Sequence, residues 1–254
     1  MNFSVAEPAE PVVPRDAATV LLLRDGEDGL EVFLQRRVAA MAFAAGMTVF
    51  PGGGVDPRDA DATIAWAGPP AADWAGWFNG AERLARALVC AAVRETFEES
   101  GVLLAGTADE VVTGTGGYAG VRDALVSREL SLADFLAREG LTLRSDLLRP
   151  WAHWITPVQE KRRYDTRFFA AILPEGQQAD GKTTEAESSG WQRPADALAD
   201  AEAGRSTLMP PTWYTLTELA AFDTAAEAMA TERTVEAIIP KLIRDGDEIR
   251  VVVE

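Results

Sequence analysis

Three carboxylates crowd the end of one helical segment, and this crowding constrains the chain more than any other feature. Glu95, Glu98 and Glu99 stand at positions i, i+3 and i+4, so a helix places them on one face. Like charges at this spacing destabilise a helix by about 0.2–0.5 kcal/mol per pair. Gly101 is the natural stop of this helix, so the three carboxylates also oppose the helix dipole by roughly 0.3–1 kcal/mol each. A bound divalent cation would reverse the sign of both penalties.

The type of ligand predicts which cation this cluster would hold. Oxygen donors with no His or Cys nearby favour Mg²⁺ or Mn²⁺ over Zn²⁺. Mg²⁺ in proteins is commonly shared with substrate phosphates, so the cluster also indicates a phosphate ester. The alternative is an acidic helix face that is simply solvated.

The residues around the glutamates favour a site. Arg94 lies four residues before Glu98, where it either orients that carboxylate through a charge-assisted hydrogen bond or forms an ordinary exposed pair. Upstream, the chain turns at Gly52-Gly53-Gly54, where the backbone can approach a ligand closely. Apolar side chains project from the opposite side of the helix and can enter a core, at Val89, Cys90, Val93 and Phe97.

Together these pieces resemble the Nudix box, whose second half reads Arg-Glu-U-x-Glu-Glu-x-Gly-U, with U a bulky aliphatic residue. The residues in register are Arg94, Glu95, Glu98, Glu99, Gly101 and Val102, while Thr96 occupies a position that is usually aliphatic. The first half departs from the pattern. Gly53 precedes Arg94 by 41 positions where an uninterrupted box has 14, so about 27 residues are inserted. The early box glutamate is also missing: Arg86 stands at its spacing from Arg94, and Asp59 is its candidate substitute.

A box split in this way is similar to one branch of the superfamily, the mammalian peroxisomal coenzyme A diphosphatase and its bacterial relatives. Further matches to that branch are Leu34-Gln35-Arg36, Thr156-Pro157 and the segment 162–169. The upstream signature of coenzyme A hydrolases survives only in part. Arg37 and Gly46 are in register, but the second arginine position is Ala42 and the small residue after the first is Val38. Coenzyme A is therefore the leading candidate substrate and not a conclusion.

The resemblance implies a Nudix-type α/β/α sandwich with a mixed sheet, an insertion within the box at about 56–80 and extra C-terminal helices. We expect one domain over 17–254, preceded by a flexible N-terminal arm at 1–16. Trp66, Trp74 and Trp77 lie in the insertion. We expect them to pack it against the body, the alternative being that one of them stacks on a substrate base.

The resemblance also implies the roles of the site residues. Glu95, Glu98 and Glu99, together with the backbone carbonyl of Gly52, would hold Mg²⁺ or Mn²⁺. The predicted catalytic residues are Glu98, Glu99 and Arg94, and which glutamate is the general base stays open. Nudix enzymes often recruit a further acidic residue from a later loop, for which Glu187 is our choice and Glu160 and Glu185 compete.

Local positive charge for a phosphate ester is available in two segments of the chain. The basic residues in question are Arg36, Arg37, Lys161, Arg162 and Arg163. Of these we select Arg36, Arg37 and Arg163 as substrate-binding residues. The alternative for each is an ordinary charged flank at a solvated strand end.

Composition excludes several other classes of function. A net charge of −16 disfavours nonspecific nucleic-acid binding, and no apolar run approaches the length of a membrane span. Cys90 is the only cysteine, which rules out an intramolecular disulfide and fits a reducing, cytoplasmic setting. His153 is the only histidine and has no serine elbow or paired cysteine motif to work with.

We therefore expect a Mg²⁺-dependent hydrolase that cleaves the diphosphate of a nucleoside diphosphate linked to another moiety, with coenzyme A or acyl-coenzyme A as the leading candidate. The open alternatives are hydrolysis of ADP-ribose, a dinucleotide or a nucleoside triphosphate, and a non-catalytic module of the same shape that senses a nucleotide. The expected partner is a small-molecule diphosphate, and homodimer formation is left open.

Periodicity and turn residues predict the order of secondary structure. Strands are expected at 17–24, 30–36, 151–156, 167–173 and 249–253, and helices at 81–100, 131–140, 195–202, 212–222 and 224–231, with a loop at 175–184.

Overall fold

The computed structural model of the protein describes residues 8–39, 44–245 and 248–253. Ala42, where the coenzyme A signature has its second arginine, lies outside the described residues. The strands are β1 (Arg15–Gly26), β2 (Gly29–Arg37), β3 (Thr48–Val49), β4 (Gly52–Gly54), β5 (Trp66–Ala67), β6 (Ala105–Gly106), β7 (Thr142–Arg144), β8 (Leu148–Ile155), β9 (Tyr164–Ile172), β10 (Ala186–Gln192), β11 (Ala237–Ile238), β12 (Lys241–Asp245) and β13 (Glu248–Val252). The helices are α1 (Ala71–Trp77), α2 (Glu82–Ser100), α3 (Ala119–Val126), α4 (Leu132–Glu139), α5 (Pro194–Glu202), α6 (Pro210–Leu219) and α7 (Ala225–Ala230).

A mixed sheet forms the centre of the molecule. Its strand order is β10-β2-β1-β9-β8-β11, with β3 paired to β2 and β4 paired to β1. The predicted hairpin is present, since β1 and β2 pair antiparallel with Leu23 opposite Val32. Strand β9 runs parallel to β1 and antiparallel to β8. This arrangement confirms the expected mixed sheet.

Helices cover both faces of this sheet. Along β1, Ala18, Val20 and Leu22 belong to the core on the α2 side, and Leu21 and Leu23 to the core on the other side. The second core receives apolar side chains from α5, α6 and α7. Because side chains alternate along a strand, the apolar run of β1 serves both cores at once. The predicted α/β/α sandwich with extra C-terminal helices is therefore confirmed.

Helix α2 carries the box residues and begins within one residue of its predicted start. It ends at Gly101, which adopts a left-handed conformation with φ 74°, a geometry that glycine tolerates best. The predicted apolar face is fully buried, at 0–1% exposure for Val89, Cys90, Val93 and Phe97. Thr96 fits the same core because its hydroxyl donates to the Ala92 carbonyl at 2.7 Å.

The box insertion consists of short elements packed onto the body. It contains a 3-10 turn at Pro57–Ala60, strand β5 and helix α1. Trp74 is fully buried and contacts the rings of Trp77, Phe78 and Phe169. The Trp66 indole donates to the Pro69 carbonyl at 2.8 Å. Trp74 therefore packs the insertion down, as expected, while Trp77 is 40% exposed.

Other elements match the sequence predictions to different degrees. Helix α4 has the predicted caps, with the Ser131 hydroxyl accepting from the Asp134 amide and Gly140 at φ 66°. Residues 8–14 are largely exposed and outside regular structure, but Arg15 and Asp16 belong to β1 and not to an arm. Strand β12, which forms a separate hairpin with β13, and the small sheet β5-β7-β6 were not predicted from the sequence. Within the described residues, no helix combines the length and apolarity that a membrane span requires.

We predict that Trp74→Ala lowers the free energy of unfolding by about 3–5 kcal/mol, because it empties a fully buried aromatic site. Trp77→Ala should cost only about 0.5–1.5 kcal/mol, since it removes one edge contact of a partly exposed ring. Equilibrium denaturation in urea measures both values. Equal losses in the two variants would contradict the packing described for the insertion.

Candidate active site

The last two turns of α2 lie directly against the glycine strand β4. A Cβ atom at Gly53 would stand 2.5 Å from the Glu95 Oε1 atom, so any larger residue there would displace the carboxylate. The Gly52 amide donates to the Glu99 Oε2 atom at 2.8 Å. The backbone of this turn therefore makes its predicted close approach, and it does so to Glu95 and Glu99.

Arg94 is the centre of a buried network of hydrogen bonds. Its Nε and Nη2 atoms donate to the two carboxylate oxygens of Asp59 at 3.0 and 2.9 Å. Nη2 also donates to the Gly54 carbonyl at 3.0 Å. Nη1 donates to Glu95 Oε1 at 2.7 Å and to Glu98 Oε1 at 3.2 Å. A guanidinium has five N–H donors, so this network uses all of them. Arg94 therefore positions carboxylates and has no donor left for a substrate.

Asp59 supplies the acidic partner that Arg94 needs. It is 2% exposed, and its Oδ2 atom also accepts from the Asp56 amide at 2.8 Å. Arg86, the residue at the spacing of the missing box glutamate, instead donates to the Asp61 carbonyl at 3.4 Å and covers the Trp66 ring. The bidentate contact supports Asp59 as the substitute.

The cluster holds more negative than positive charge. It contains four carboxylates, of Asp59, Glu95, Glu98 and Glu99, and one guanidinium, of Arg94, so the formal charge is −3 when all are ionised. Burial raises the pKa of Glu95, Glu98 and Glu99 above the ordinary glutamate range. The charge of Glu95 raises the pKa of Glu99 further, and Arg94 opposes the rise at Glu95 and Glu98. A divalent cation would offset this repulsion.

Each of the three glutamates keeps one oxygen that accepts no hydrogen bond from the described part of the chain. These oxygens are Glu95 Oε2, Glu98 Oε2 and Glu99 Oε1. None is among the buried polar atoms that lack a partner, so each retains access to solvent. Three free carboxylate oxygens match the donor preference of Mg²⁺ or Mn²⁺.

The described residues contain no preformed metal site, that is, no three His, Cys, Asp or Glu side chains already arranged around one position. The donor chemistry therefore fits the cation, but the three oxygens would have to move closer together to bind it.

Glu99 has a partner that the sequence analysis did not assign. The Gln35 Nε2 atom donates to Glu99 Oε2 at 3.0 Å, on the same oxygen that the Gly52 amide reaches. Gln35 is 3% exposed and directly follows the apolar residues 32–34 of β2. An amide that continues an apolar strand segment is the sequence signal that would have indicated this role. For Gly52, the contact seen is through its amide, and metal binding by its carbonyl stays a prediction.

Two pairs of opposite charge join the end of β2 to the start of β10. Arg37 donates to Glu185 Oε2 at 3.1 Å, and both charges act on the pKa of Glu99. Arg36 lies 3.7 Å from Glu187, whose side chain is 64% exposed. A β-bulge between Ala186 and Ser188 separates the two acidic residues. Glu185 thus lies within electrostatic reach of the glutamate cluster, while Glu187 pairs with Arg36, and the choice of Glu187 over Glu185 as the additional acidic residue stays a prediction.

Arg163, a predicted substrate-binding residue, is held by contacts with the backbone. It is 8% exposed, and its guanidinium donates to the carbonyls of Thr156 at 3.0 Å and Val12 at 2.7 Å. These contacts anchor the segment before β1 to the connection between β8 and β9. The Nε and Nη1 atoms of Arg163 therefore have a structural role, and substrate binding by Arg163 stays a prediction. Its neighbours Lys161 and Arg162 are exposed.

His153 and Cys90 have structural surroundings, as expected. The His153 Nε2 atom lies 2.5 Å from Asp165 Oδ1, and Arg167 bridges Asp165 and Asp16 across the sheet. Burial raises the pKa of the Cys90 thiol to about 12. Such a thiol stays protonated and is not a nucleophile at neutral pH.

Comparison with known proteins agrees with this geometry. A family model described as the NUDT19 Nudix domain matches residues 81–219. Nudix hydrolase 7 of Caenorhabditis elegans is 28% identical over 205 residues, which cover 81% of this chain and 60% of that protein. The acyl-coenzyme A diphosphatase NUDT19 of Xenopus laevis is 30% identical over 149 residues, which cover 53% of this chain and 39% of that protein.

Similarity to a solved structure extends further along the chain. The crystal structure of a Nudix hydrolase from Alicyclobacillus acidocaldarius has a TM-score of 0.73 at 28% identity, covering 87% of this chain and 98% of that one. The chain spans less than two thirds of the length of the two curated relatives. The family model nevertheless matches more than half of this chain. The two halves of the split box lie side by side in this structure, on helix α2 and the glycine strand β4. The chain belongs to the Nudix hydrolase superfamily, in the family of the NUDT19 Nudix domain.

Proposed function

We propose that this protein is a divalent-metal-dependent hydrolase that cleaves the diphosphate of a nucleoside diphosphate linked to another moiety. The observation that carries the proposal is the buried cluster of four carboxylates around one guanidinium, with three free carboxylate oxygens on α2. Coenzyme A or acyl-coenzyme A is the leading candidate substrate, because the relative from Xenopus laevis is named an acyl-coenzyme A diphosphatase. A cytoplasmic setting fits the single, buried and protonated cysteine.

The chain's own residues divide the chemical work. Glu95, Glu98 and Glu99 would hold Mg²⁺ or Mn²⁺, and the carbonyl of Gly52 stays the proposed fourth ligand. When bound, such an ion supplies a Lewis acid for the phosphoryl oxygens and lowers the pKa of a coordinated water. Glu98 or Glu99 accepts the proton of the attacking water as general base. Arg94 keeps Glu95 and Glu98 oriented through its Nη1 atom.

Arg37 is the residue best placed to contact the diphosphate. Its Nη2 atom donates to Glu185, but its buried Nε atom has no hydrogen-bond partner among the residues that the structure describes. Arginine commonly binds phosphate through two N–H groups. A phosphate oxygen that satisfied Nε would therefore compete with Glu185 for this guanidinium. Arg36, whose side chain is 51% exposed, provides additional positive charge nearby in the sequence.

A second candidate function is nucleotide sensing without hydrolysis. The observation that favours it is that no three acidic, His or Cys side chains of the described residues are already arranged around a metal position. A module of this kind would bind the nucleotide and release no product. Fold alone does not separate the two functions, but products do.

We expect mass spectrometry to detect phosphopantetheine and an adenine nucleotide after the protein is incubated with Mg²⁺ and coenzyme A. Parallel reactions with ADP-ribose, NADH and a diadenosine polyphosphate test the alternative substrates. Cleavage of one of these instead would keep the chemistry and change the substrate. Binding without any product would support the sensing module.

We predict that Glu98→Gln lowers Mg²⁺-dependent turnover at least 100-fold, because it removes one charge from the proposed ligands and several kcal/mol of electrostatic stabilisation with it. In the wild type, Mg²⁺ at about 100 times its Kd should raise the melting temperature by about 5–10 °C. The variant should lose most of this rise. The matched control is Glu187→Gln, which removes an exposed carboxylate of the same kind and should keep both properties. Full activity in the Glu98 variant would contradict the assignment.

We further predict that Glu185→Gln changes turnover at least 10-fold, because Glu185 holds Arg37 and acts on Glu99. Glu187→Gln should change it less than twofold, since Glu187 pairs at 3.7 Å with the exposed Arg36 and such pairs contribute little. Steady-state kinetics at saturating Mg²⁺ compares the two variants. A larger effect at Glu187 would support it as the additional acidic residue.

A further inference from the structure

Gln35 and the Gly52 amide hold one oxygen of Glu99 between them. Gln35 Nε2 and the Gly52 nitrogen reach Oε2 at 3.0 and 2.8 Å, from two different strands of the sheet. Glu99 is 6% exposed and Gln35 is 3% exposed. Oε1, the other oxygen of Glu99, accepts no hydrogen bond from the described residues and retains access to solvent. The two donors therefore fix which oxygen of Glu99 faces the protein and which one faces the site.

The chemistry of the amide determines its orientation here. A carboxylate that holds a cation is ionised and only accepts hydrogen bonds, so in that state Gln35 turns its NH₂ group, and not its carbonyl, toward Glu99. Gln35 has no charge of its own to add to the cluster. A glutamate at this position would bring a further negative charge against Glu99, and an apolar residue would leave Oε2 with the Gly52 donor alone. Glutamine is thus the residue type that supplies a donor without changing the charge.

We propose that Gln35 is a positioning residue of the metal site, which fixes Glu99 so that Oε1 is presented to the cation. The inference rests on the proposed function, since it assigns Gln35 a role toward the same divalent ion. Residues that hydrogen-bond to metal ligands usually change metal affinity 10–100-fold when they are replaced. Gln35 occupies this position toward Glu99, as Arg94 does toward Glu95 and Glu98.

A purely structural role for Gln35 makes a different prediction. Gln35 lies in the ladder of β2, opposite Val49 of β3 and Ser189 of β10. If its amide served only the strand, its replacement would change the stability of the metal-free protein and leave metal affinity unchanged. Metal binding and metal-free stability must therefore be measured separately.

The test measures the Kd for Mn²⁺ of the Gln35→Met variant of the whole chain. The electron paramagnetic resonance signal of free Mn²⁺ reports how much of the ion is bound. Methionine keeps the length of the side chain and removes the donor. The matched control is Gln192→Met, which removes the hydrogen bond of 2.7 Å between Gln192 and Asp200, another glutamine bound to a carboxylate. We expect the Kd for Mn²⁺ to rise about 10–100-fold in Gln35→Met and to stay within twofold of wild type in the control. Turnover at saturating Mn²⁺ should recover to within a few-fold of wild type, because the defect lies in metal occupancy.

The outcomes separate this inference from the proposed function. A wild-type protein that binds no Mn²⁺ would remove the proposed function and this inference with it. Wild-type binding that is unchanged in Gln35→Met would overturn only the role of Gln35. If the methionine variant melts early without metal, Gln35→Asn decides, because it keeps the amide but shortens its reach by one carbon. Weakened Mn²⁺ binding in the asparagine variant supports the positioning role, and wild-type binding overturns it.

Discussion

One buried guanidinium, that of Arg94, holds the site together. It joins Asp59 of the insertion, the Gly54 carbonyl of β4 and two glutamates of α2. Burial of such a charge is costly unless it is paired and hydrogen-bonded, and removing one partner of a buried pair costs about 3–5 kcal/mol. The insertion therefore does not interrupt the box in space. It brings the Asp59 carboxylate back to Arg94, in place of the missing early glutamate of the box.

The glycine strand makes this arrangement possible. Residues with a Cβ atom at Gly52 or Gly53 would collide with the Ala18 carbonyl or with the Glu95 carboxylate. Without side chains, β4 lies between β1 and the end of α2, and its Gly52 amide reaches Glu99 directly. The close approach explains why the carboxylates are buried, and their burial explains why their pKa values are raised. A site that gathers like charges at the wrong end of a helix opposes stability, and the two cores on either side of β1 compensate for it. Such local conflicts are expected where a protein binds a ligand.

The remaining charged clusters have structural explanations. Charged pairs link His153 of β8 and Asp16 of β1 to Asp165 and Arg167 of β9, and Arg163 ties backbone segments together. Arg37 differs from them in its place, since it pairs with Glu185 and both charges act on the pKa of Glu99 in the cluster. This difference is what distinguishes a substrate-binding candidate from a structural arginine.

The sequence by itself determined the features that depend on local periodicity and end signals. The three glutamates share a face because 3.6 residues make a turn, the helix stops at a glycine that tolerates a positive φ, and the apolar run of β1 specifies a strand buried on both sides. Tertiary structure decided the partners of those residues. Asp59 reaches Arg94 from 35 positions away, and Gln35 reaches Glu99 from 64. The bulge in β10 decided that Glu185 pairs with Arg37 and Glu187 with Arg36, because one extra residue in a strand redirects the side chains on either side of it. Contacts of this kind depend on how elements pack and register against one another, which no local pattern in a single sequence records.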